Sequence, residues 1–263
     1  MTFAFDLISD LHVETWEDQF DWSGQATSLF CVVAGDIAKD KYKVVQVLKN
    51  LGKCYQAVLY IDGNDEHSDY LDDLDYSYAD LIDQIHGIPN VVYLQDNVAV
   101  INGVAILGTN GWWDFEFDHS IDSADSKAWY REKFGLDSAA TSKIERMSKT
   151  DGVYLNSSIK RLQTHKDVKK IVIVSHTVPD PALLSHDIRL EGNPALNTMG
   201  NRRMLQALTH DTEHKIHTWC FGHYHNSIDQ VRRGVRFVNN CRGRADTDFC
   251  QHVYHPKRIV IDF

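Results

Sequence analysis

The 263-residue chain is short of cysteine in any useful pattern: Cys31, Cys54, Cys220, Cys241 and Cys250 are an odd number without Cys-x-x-Cys spacing. That argues against a disulfide framework or a structural zinc knot. Several lie in apolar runs and read as small buried hydrophobes. Basic charge is also scarce, with 27 Lys and Arg against 37 Asp and Glu and a formal net charge of -10. Without clustered Lys and Arg no broad face can neutralise phosphates, which disfavours a nuclease or other nucleic-acid-gripping protein. A local phosphate site stays open, because bound cations reverse the charge where it counts. No basic N-terminal segment precedes a long apolar stretch, no run approaches membrane-spanning length, and no basic amphipathic helix is present. Internal repeats and low-complexity linkers are absent as well. The expectation is a soluble, cytoplasmic protein forming a single domain over 1–263.

What is present is a core: 43% of residues are hydrophobic, enough for one large domain. Residues 3–8 (FAFDLI), 29–34 (LFCVVA) and 57–62 (AVLYID) are short, partly β-branched runs, each ending at a polar or glycine-containing loop, and read as buried strands. Between the second and third, Val44, Val47, Leu48 and Leu51 fall on one face of a helix over 40–51. A second helix carries a stripe of Leu71, Leu74, Tyr78, Leu81, Ile82 and Ile85, with Ser68 as its expected cap and Gly87 at its end. After a further apolar run at 91–95, runs at 98–101 and 104–108 around Asn102-Gly103 predict a hairpin. From Trp112 to about residue 166, aromatic clusters and mixed charge replace any strand pattern, which predicts a helical or irregular insertion suited to a cap or lid. Strands resume at 170–175 and 216–221 with a helix near 201–210 between them. Residues 227–232, 235–239 and 258–263 then read as closing strands around an Arg233-Gly234 turn. The order is that of a layered α/β protein.

Five short islands end apolar runs with metal-binding side chains: Asp10-Leu11-His12, Gly35-Asp36, Gly63-Asn64-Asp65-Glu66-His67, Ser175-His176 and Gly222-His223-Tyr224-His225. Each alone is an ordinary turn or a core histidine. Their chemistry nevertheless agrees. Asp10 and His12 leave a strand end together; Asp36 follows a glycine that permits close backbone approach; Asn64 offers a neutral carbonyl oxygen. His223 and His225 flank Tyr224 and can face one crevice from an extended segment. Loops at the carboxyl ends of strands converge in open α/β sheets, so together the islands predict a hard site for two cations.

The order DxH, GD, GN, SH, GHxH resembles the calcineurin-like metallophosphoesterase superfamily over Asp10 to His225, and Asn240-Cys241-Arg242-Gly243 with the final RIVIDF resembles its C-terminal pattern. The resemblance implies a four-layer α/β/β/α sandwich with a dinuclear centre. Asp10, His12 and His225 would hold one divalent metal, Asn64, His176 and His223 the other, and Asp36 would bridge them. It further implies a metal-dependent phosphoesterase in which a hydroxide shared by the cations attacks a small-molecule phosphate ester or nucleotide. Oxygen and imidazole ligands suit Mn, Fe, Zn or Ni.

One position departs from the pattern. Superfamily esterases commonly carry a His directly after the Asn, thought to protonate the leaving oxygen; here Asp65 stands there and the nearest imidazole is His67. A carboxylate of ordinary pKa is a poor acid at neutral pH. Three readings stand: His67 is the acid with Asp65 orienting it, no acid is needed, or the chain is a catalytically silent metal-binding scaffold. Retention of all seven ligand types favours catalysis, with a phosphodiesterase ahead of a phosphomonoesterase. For substrate contacts, Trp112 leads an aromatic group comprising Trp113, Phe115, Phe117, Trp129, Tyr130 and Phe134, whose members either stack on a base or form a satellite core under a long loop. Arg242 and Arg244 are candidates to bind a second phosphate.

Overall fold

Four parallel strands and one returning strand make the first sheet. The computed structural model describes residues 2–18, 20–184, 187, 191–247 and 250–263. In it β1 (Thr2–Ile8), β2 (Phe30–Ala34), β3 (Ala57–Ile61) and β4 (Val91–Tyr93) run parallel. A second sheet takes β5 (Asn97–Ile101), β6 (Val104–Thr109), β7 (Lys170–Ser175), β8 (Ile216–Phe221), β9 (Asp229–Arg232) and β10 (Val235–Asn239) in the order β5-β6-β7-β8-β10-β9. The last strand, β11 (Lys257–Asp262), pairs antiparallel with β1 and completes the first sheet as β11-β1-β2-β3-β4. The β5–β6 hairpin turns at Asn102-Gly103, with φ of 49° and 82° as a type I′ turn requires.

The central strands are apolar on both faces because they lie between layers. Val32, Ala34, Leu59 and Ile61 of the first sheet meet Ile106, Val172, Val174, Cys220 and Val238 of the second. Outside the first sheet, α1 (Lys41–Cys54) and α2 (Leu74–Ile85) press Val44, Leu48, Leu51, Leu81 and Ile85 against Val33, Val58 and Tyr60. Two further helices follow β6: α3 (Ser123–Phe134) and α4 (Ser138–Thr164). α4 covers the second sheet through Leu155, Ile159 and Leu162, which pack with Leu107, Ile171 and Ile173. The result is a four-layer α/β/β/α sandwich, and both sheets point the carboxyl ends of their parallel strands toward one edge. No helix among the described residues is long and apolar enough to cross a membrane.

Several local expectations need correction. α2 is capped by Asp73, whose side chain accepts from Tyr76 N, while Ser68 sits in a 3-10 helix over Asp65–Tyr70 and donates to Asp65 O. Ile82, assigned to the buried stripe, is exposed. Residues 112–166 are largely helical, and the C-terminal half of α4 belongs to the main core. Its i, i+4, i+7 contact stripe is narrow and surrounded by Ser, Thr, Lys and Asp, which hid it. The segment's aromatic start does form a satellite core, in which Trp112, Trp113, Phe115 and Tyr130 join Leu71, Leu74 and Ile144. Arg202–His210 is 3-10 rather than α-helical.

Candidate metal centre

The loops after β1, β2, β3, β7 and β8 meet at a single point, and their backbones are bent to do so. Asp10, His12, Asp36 and His223 adopt left-handed φ values of 50°, 41°, 53° and 64°. For non-glycine residues this costs on the order of 1 to 3 kcal/mol each, a strain retained where surroundings over-determine it. Gly35 has φ of 84°, and a Cβ there would come within 2.8 Å of the Gly63 backbone. The β2 and β3 loops therefore touch because neither has a side chain at that point.

The side chains gather in three overlapping groups, one of them His12, Glu14 and Asp65 at the rim and the other two centred on Asp36. Ligand atoms of Asp10, His12, Asp36 and His225 all lie within 4.8 Å of one another, and so do those of Asp36, His176 and His223. Asp36 belongs to both. His12 Nε2 is 2.9 Å from His225 Nε2 and 3.8 Å from Asp36 Oδ2, while His225 Nε2 is 3.4 Å from Asp10 Oδ1. In the second group His176 Nε2 is 3.4 Å from Asp36 Oδ1 and 3.1 Å from Asn64 Oδ1. The far sides of the rings face oxygen: His176 Nδ1 lies 2.9 Å from Ala34 O, His223 Nε2 3.1 Å from Thr198 O, and His12 Nδ1 3.2 Å from Asp65 Oδ2. Assigned from their carbonyl acceptors, the His176 and His223 protons sit on the outward nitrogens and their lone pairs turn inward, whereas His12 Nδ1 is buried without a hydrogen bond.

Such an arrangement calls for positive charge. Burial pushes the Asp10 carboxyl up, but the hydrogen bond with His225 and the charges of His176 and His225 outweigh it and bring it down to about 2. Asp36 is likewise buried, yet His176 and His12 hold it well below the usual carboxylate range. Burial lowers His176, whereas Asp36 and Asp10 raise it to about 10; His223, buried and facing His176, falls to about 4. Two buried carboxylates thus draw protons onto neighbouring imidazoles. Divalent cations supply the same charge and require neutral imidazoles, so binding would displace those protons. Asp10 Oδ2 is buried without a hydrogen-bond partner. That orphaned oxygen and the inward lone pairs fit a cation site, with a donor set suited to Mn, Fe, Zn or Ni.

Glu66 organises these loops and escaped the sequence reading, although it stands in the same Gly63–His67 run. Its carboxylate accepts from Asp36 N (3.1 Å), Ile37 N (2.8 Å), Gly63 N (2.9 Å) and the Tyr60 hydroxyl (3.2 Å). Burial and the nearby Asp36 charge raise this carboxyl well above its ordinary range, against the pull of the Ile37 N–H. A cation beside Asp36 would relieve that repulsion.

Three candidates from the sequence stand elsewhere. His67 is fully buried, with Nε2 3.0 Å from Asp62 and Nδ1 2.9 Å from Ser77 Oγ, and its ring stacks on Tyr78. Both nitrogens are engaged away from the cluster, so an acid swinging toward the leaving group does not fit. Trp112 is fully buried, and its indole donates to the Tyr78 hydroxyl. Arg242 stacks on Trp16 at 3.9 Å and pairs with Asp18, outside the crevice. The crevice of about 260 Å³ beside Asn64 and His223 is lined instead by Trp113, Trp129, Tyr130 and Phe134, with Lys39, Lys133 and Arg244. Asp65 faces this crevice and pairs with Arg244. No pattern distinguished Arg244 from Arg242 or Trp113 from Trp112 in the sequence.

No family model and no curated protein sequence matches the chain. Its architecture has counterparts. A phosphopantetheinyl hydrolase from Mycobacterium tuberculosis superposes with a TM-score of 0.69 at 18% identity, over 94% of this chain and 93% of that one. For a dimetal phosphatase from Danio rerio the score is 0.58 at 15% identity, over 97% and 91%. For a candidate 5′-nucleotidase from Staphylococcus aureus it is 0.52 at 13% identity, over 100% of this chain and 51% of that one. Two of these share the whole sandwich over more than nine-tenths of both partners, and the chain has the calcineurin-like metallophosphoesterase fold.

Proposed function

We propose that the protein is a dinuclear metal-dependent phosphoesterase acting on a small-molecule phosphate ester or nucleotide, with diesters preferred. One observation carries the reading: two groups of ligand atoms, each within 4.8 Å, share Asp36. Asp10, His12 and His225 would hold one cation, Asn64, His176 and His223 the other, with Asp36 common to both. Cations there would neutralise phosphoryl oxygens and activate water as a nucleophile. The chain's own part is orientation. Ala34 O and Thr198 O hold the His176 and His223 rings, and the His223 backbone N–H fixes Asp10 Oδ1 at 2.8 Å. Trp113 lies against the His223 ring, at 5.8 Å between centroids, and excludes water from that side.

Preference for diesters is supported by Asp65, which stands where an imidazole acid would be expected and beside Asn64 in the crevice. The charge of that carboxylate is balanced by Arg244, so the preference rests on the missing imidazole acid and not on repulsion. The test is metal content together with turnover of bis(p-nitrophenyl) phosphate and p-nitrophenyl phosphate by Mn²⁺-loaded protein, with Asp36→Ala as control. Two metals per chain and diester turnover well above monoester turnover, both lost in the control, are expected. Two bound metals with no turnover of either ester would favour a silent scaffold.

A further inference from the structure

The crevice beside the cluster has a charge opposite to that of the protein. Lys39, Lys133 and Arg244 line it against the single carboxylate of Asp65, in a chain of net charge -10. Its apolar wall begins at the cluster, where Trp113 lies over His223, and continues through Trp129, Tyr130 and Phe134. Lys133 spans two of these rings, 4.7 Å from the Trp129 centroid and 5.3 Å from that of Phe134. At about 260 Å³ the space suits one ring system and its charged group.

Arg244 is fixed in register with the cluster. Asp65 accepts from Arg244 Nη2 and lies 3.2 Å from His12 Nδ1, so one carboxylate ties the crevice cation to a histidine of the candidate centre. Arg244 Nη1 is 4.0 Å from Glu14 Oε1, beyond hydrogen-bond reach, and the side chain keeps 26% exposure. A planar guanidinium held by one edge still offers donors to a second acceptor, which a point-charge lysine does less directionally.

Resting on the phosphoesterase reading, we infer that Arg244, positioned by Asp65, selects phosphate esters whose leaving group carries a second anionic group next to a flat apolar body. The cluster takes the first phosphoryl group, Arg244 the second anion, and the Trp113–Trp129 wall the body. Lys39 and Lys133 add attraction without fixed geometry.

The test is calorimetric binding to full-length, zinc-loaded protein of three non-hydrolysable probes: inorganic phosphate, methylenediphosphonate and adenosine 5′-(α,β-methylene)diphosphate. The two-anion probe should bind about tenfold or more tightly than phosphate, and the adenosine probe more tightly again. Arg244→Ala should remove the two-anion advantage and leave the gain from adenosine; Trp129→Ala should do the reverse. Arg244→Lys should restore part of the loss. Asp65→Ala should lose the same factor as Arg244→Ala, with nothing further lost in the double variant. Equal binding of phosphate and methylenediphosphonate, or an Arg244→Ala loss shared equally by all three probes, would overturn the inference. Absence of two zinc ions per chain in the unsubstituted protein would instead count against the metal centre itself.

Discussion

Replacing Glu66 by Gln tests how the centre is built, because the two side chains have nearly the same shape. Glu66 is 1% exposed and takes four donors, with Ile37 N and the Tyr60 hydroxyl on Oε1 and Asp36 N and Gly63 N on Oε2. An amide keeps one accepting oxygen and turns an NH₂ group toward the other two donors. The amide settles with its NH₂ toward Ile37 N and the Tyr60 hydroxyl, which can turn to accept, so one buried N–H is left unsatisfied and roughly 1 to 3 kcal/mol of stability should be lost. Against a typical folding free energy of about 5 to 15 kcal/mol this is a large fraction, readable by urea denaturation. The unsatisfied Ile37 N–H belongs to the loop carrying Asp36, so metal affinity should fall about 10- to 100-fold, as measured by competition with a chelator. A Glu66→Gln protein within about 1 kcal/mol of the unsubstituted one, holding two metals at unchanged affinity, would refute the argument that this carboxylate clamps the loops.

Two further substitutions separate structural groups from reacting ones. His67→Ala breaks a buried network with Asp62 and Ser77 and should cost about 2 to 4 kcal/mol in thermal or urea unfolding. Its rate on esters with poor leaving groups should stay within about threefold, whereas loss of a general acid costs about a hundredfold or more. Asp151 is raised to about 8 by burial and by Asp96, with which it shares the Thr109 hydroxyl. The folded state therefore holds a proton that the unfolded chain releases near the ordinary aspartate value of about 3.9. This stabilisation is complete at low pH and is lost as pH rises toward about 8. Unfolding followed from pH 4 to pH 9 should show Asp151→Asn with the shallower decline across that window; parallel curves would sink the assignment.

The islands at Asp10, Asp36, Asn64, His176, His223 and His225 were legible because each follows a buried apolar strand, and strand ends in such sheets are where loops converge. The layered α/β order was legible for the same reason: β2, β3, β7 and β8 are buried across nearly their whole length and therefore read as continuous apolar runs. α4 was not, since its few core contacts at Leu155, Ile159 and Leu162 are diluted by polar neighbours on the other faces.

The sequence by itself determined which residue types stand at the strand ends, the strand order along the chain and the hairpin at Asn102-Gly103, because periodicity and turn chemistry are local. Only the tertiary structure decided which of two neighbouring side chains faces the crevice. Trp113 and Arg244 line it while Trp112 and Arg242 lie elsewhere. It also placed His67 in a closed network and set Glu66 as the clamp of three backbone N–H groups. Those outcomes depend on long-range packing, through which Asp65 meets Arg244 across 179 residues of chain, and no local pattern encodes a contact that the fold creates only when the layers close.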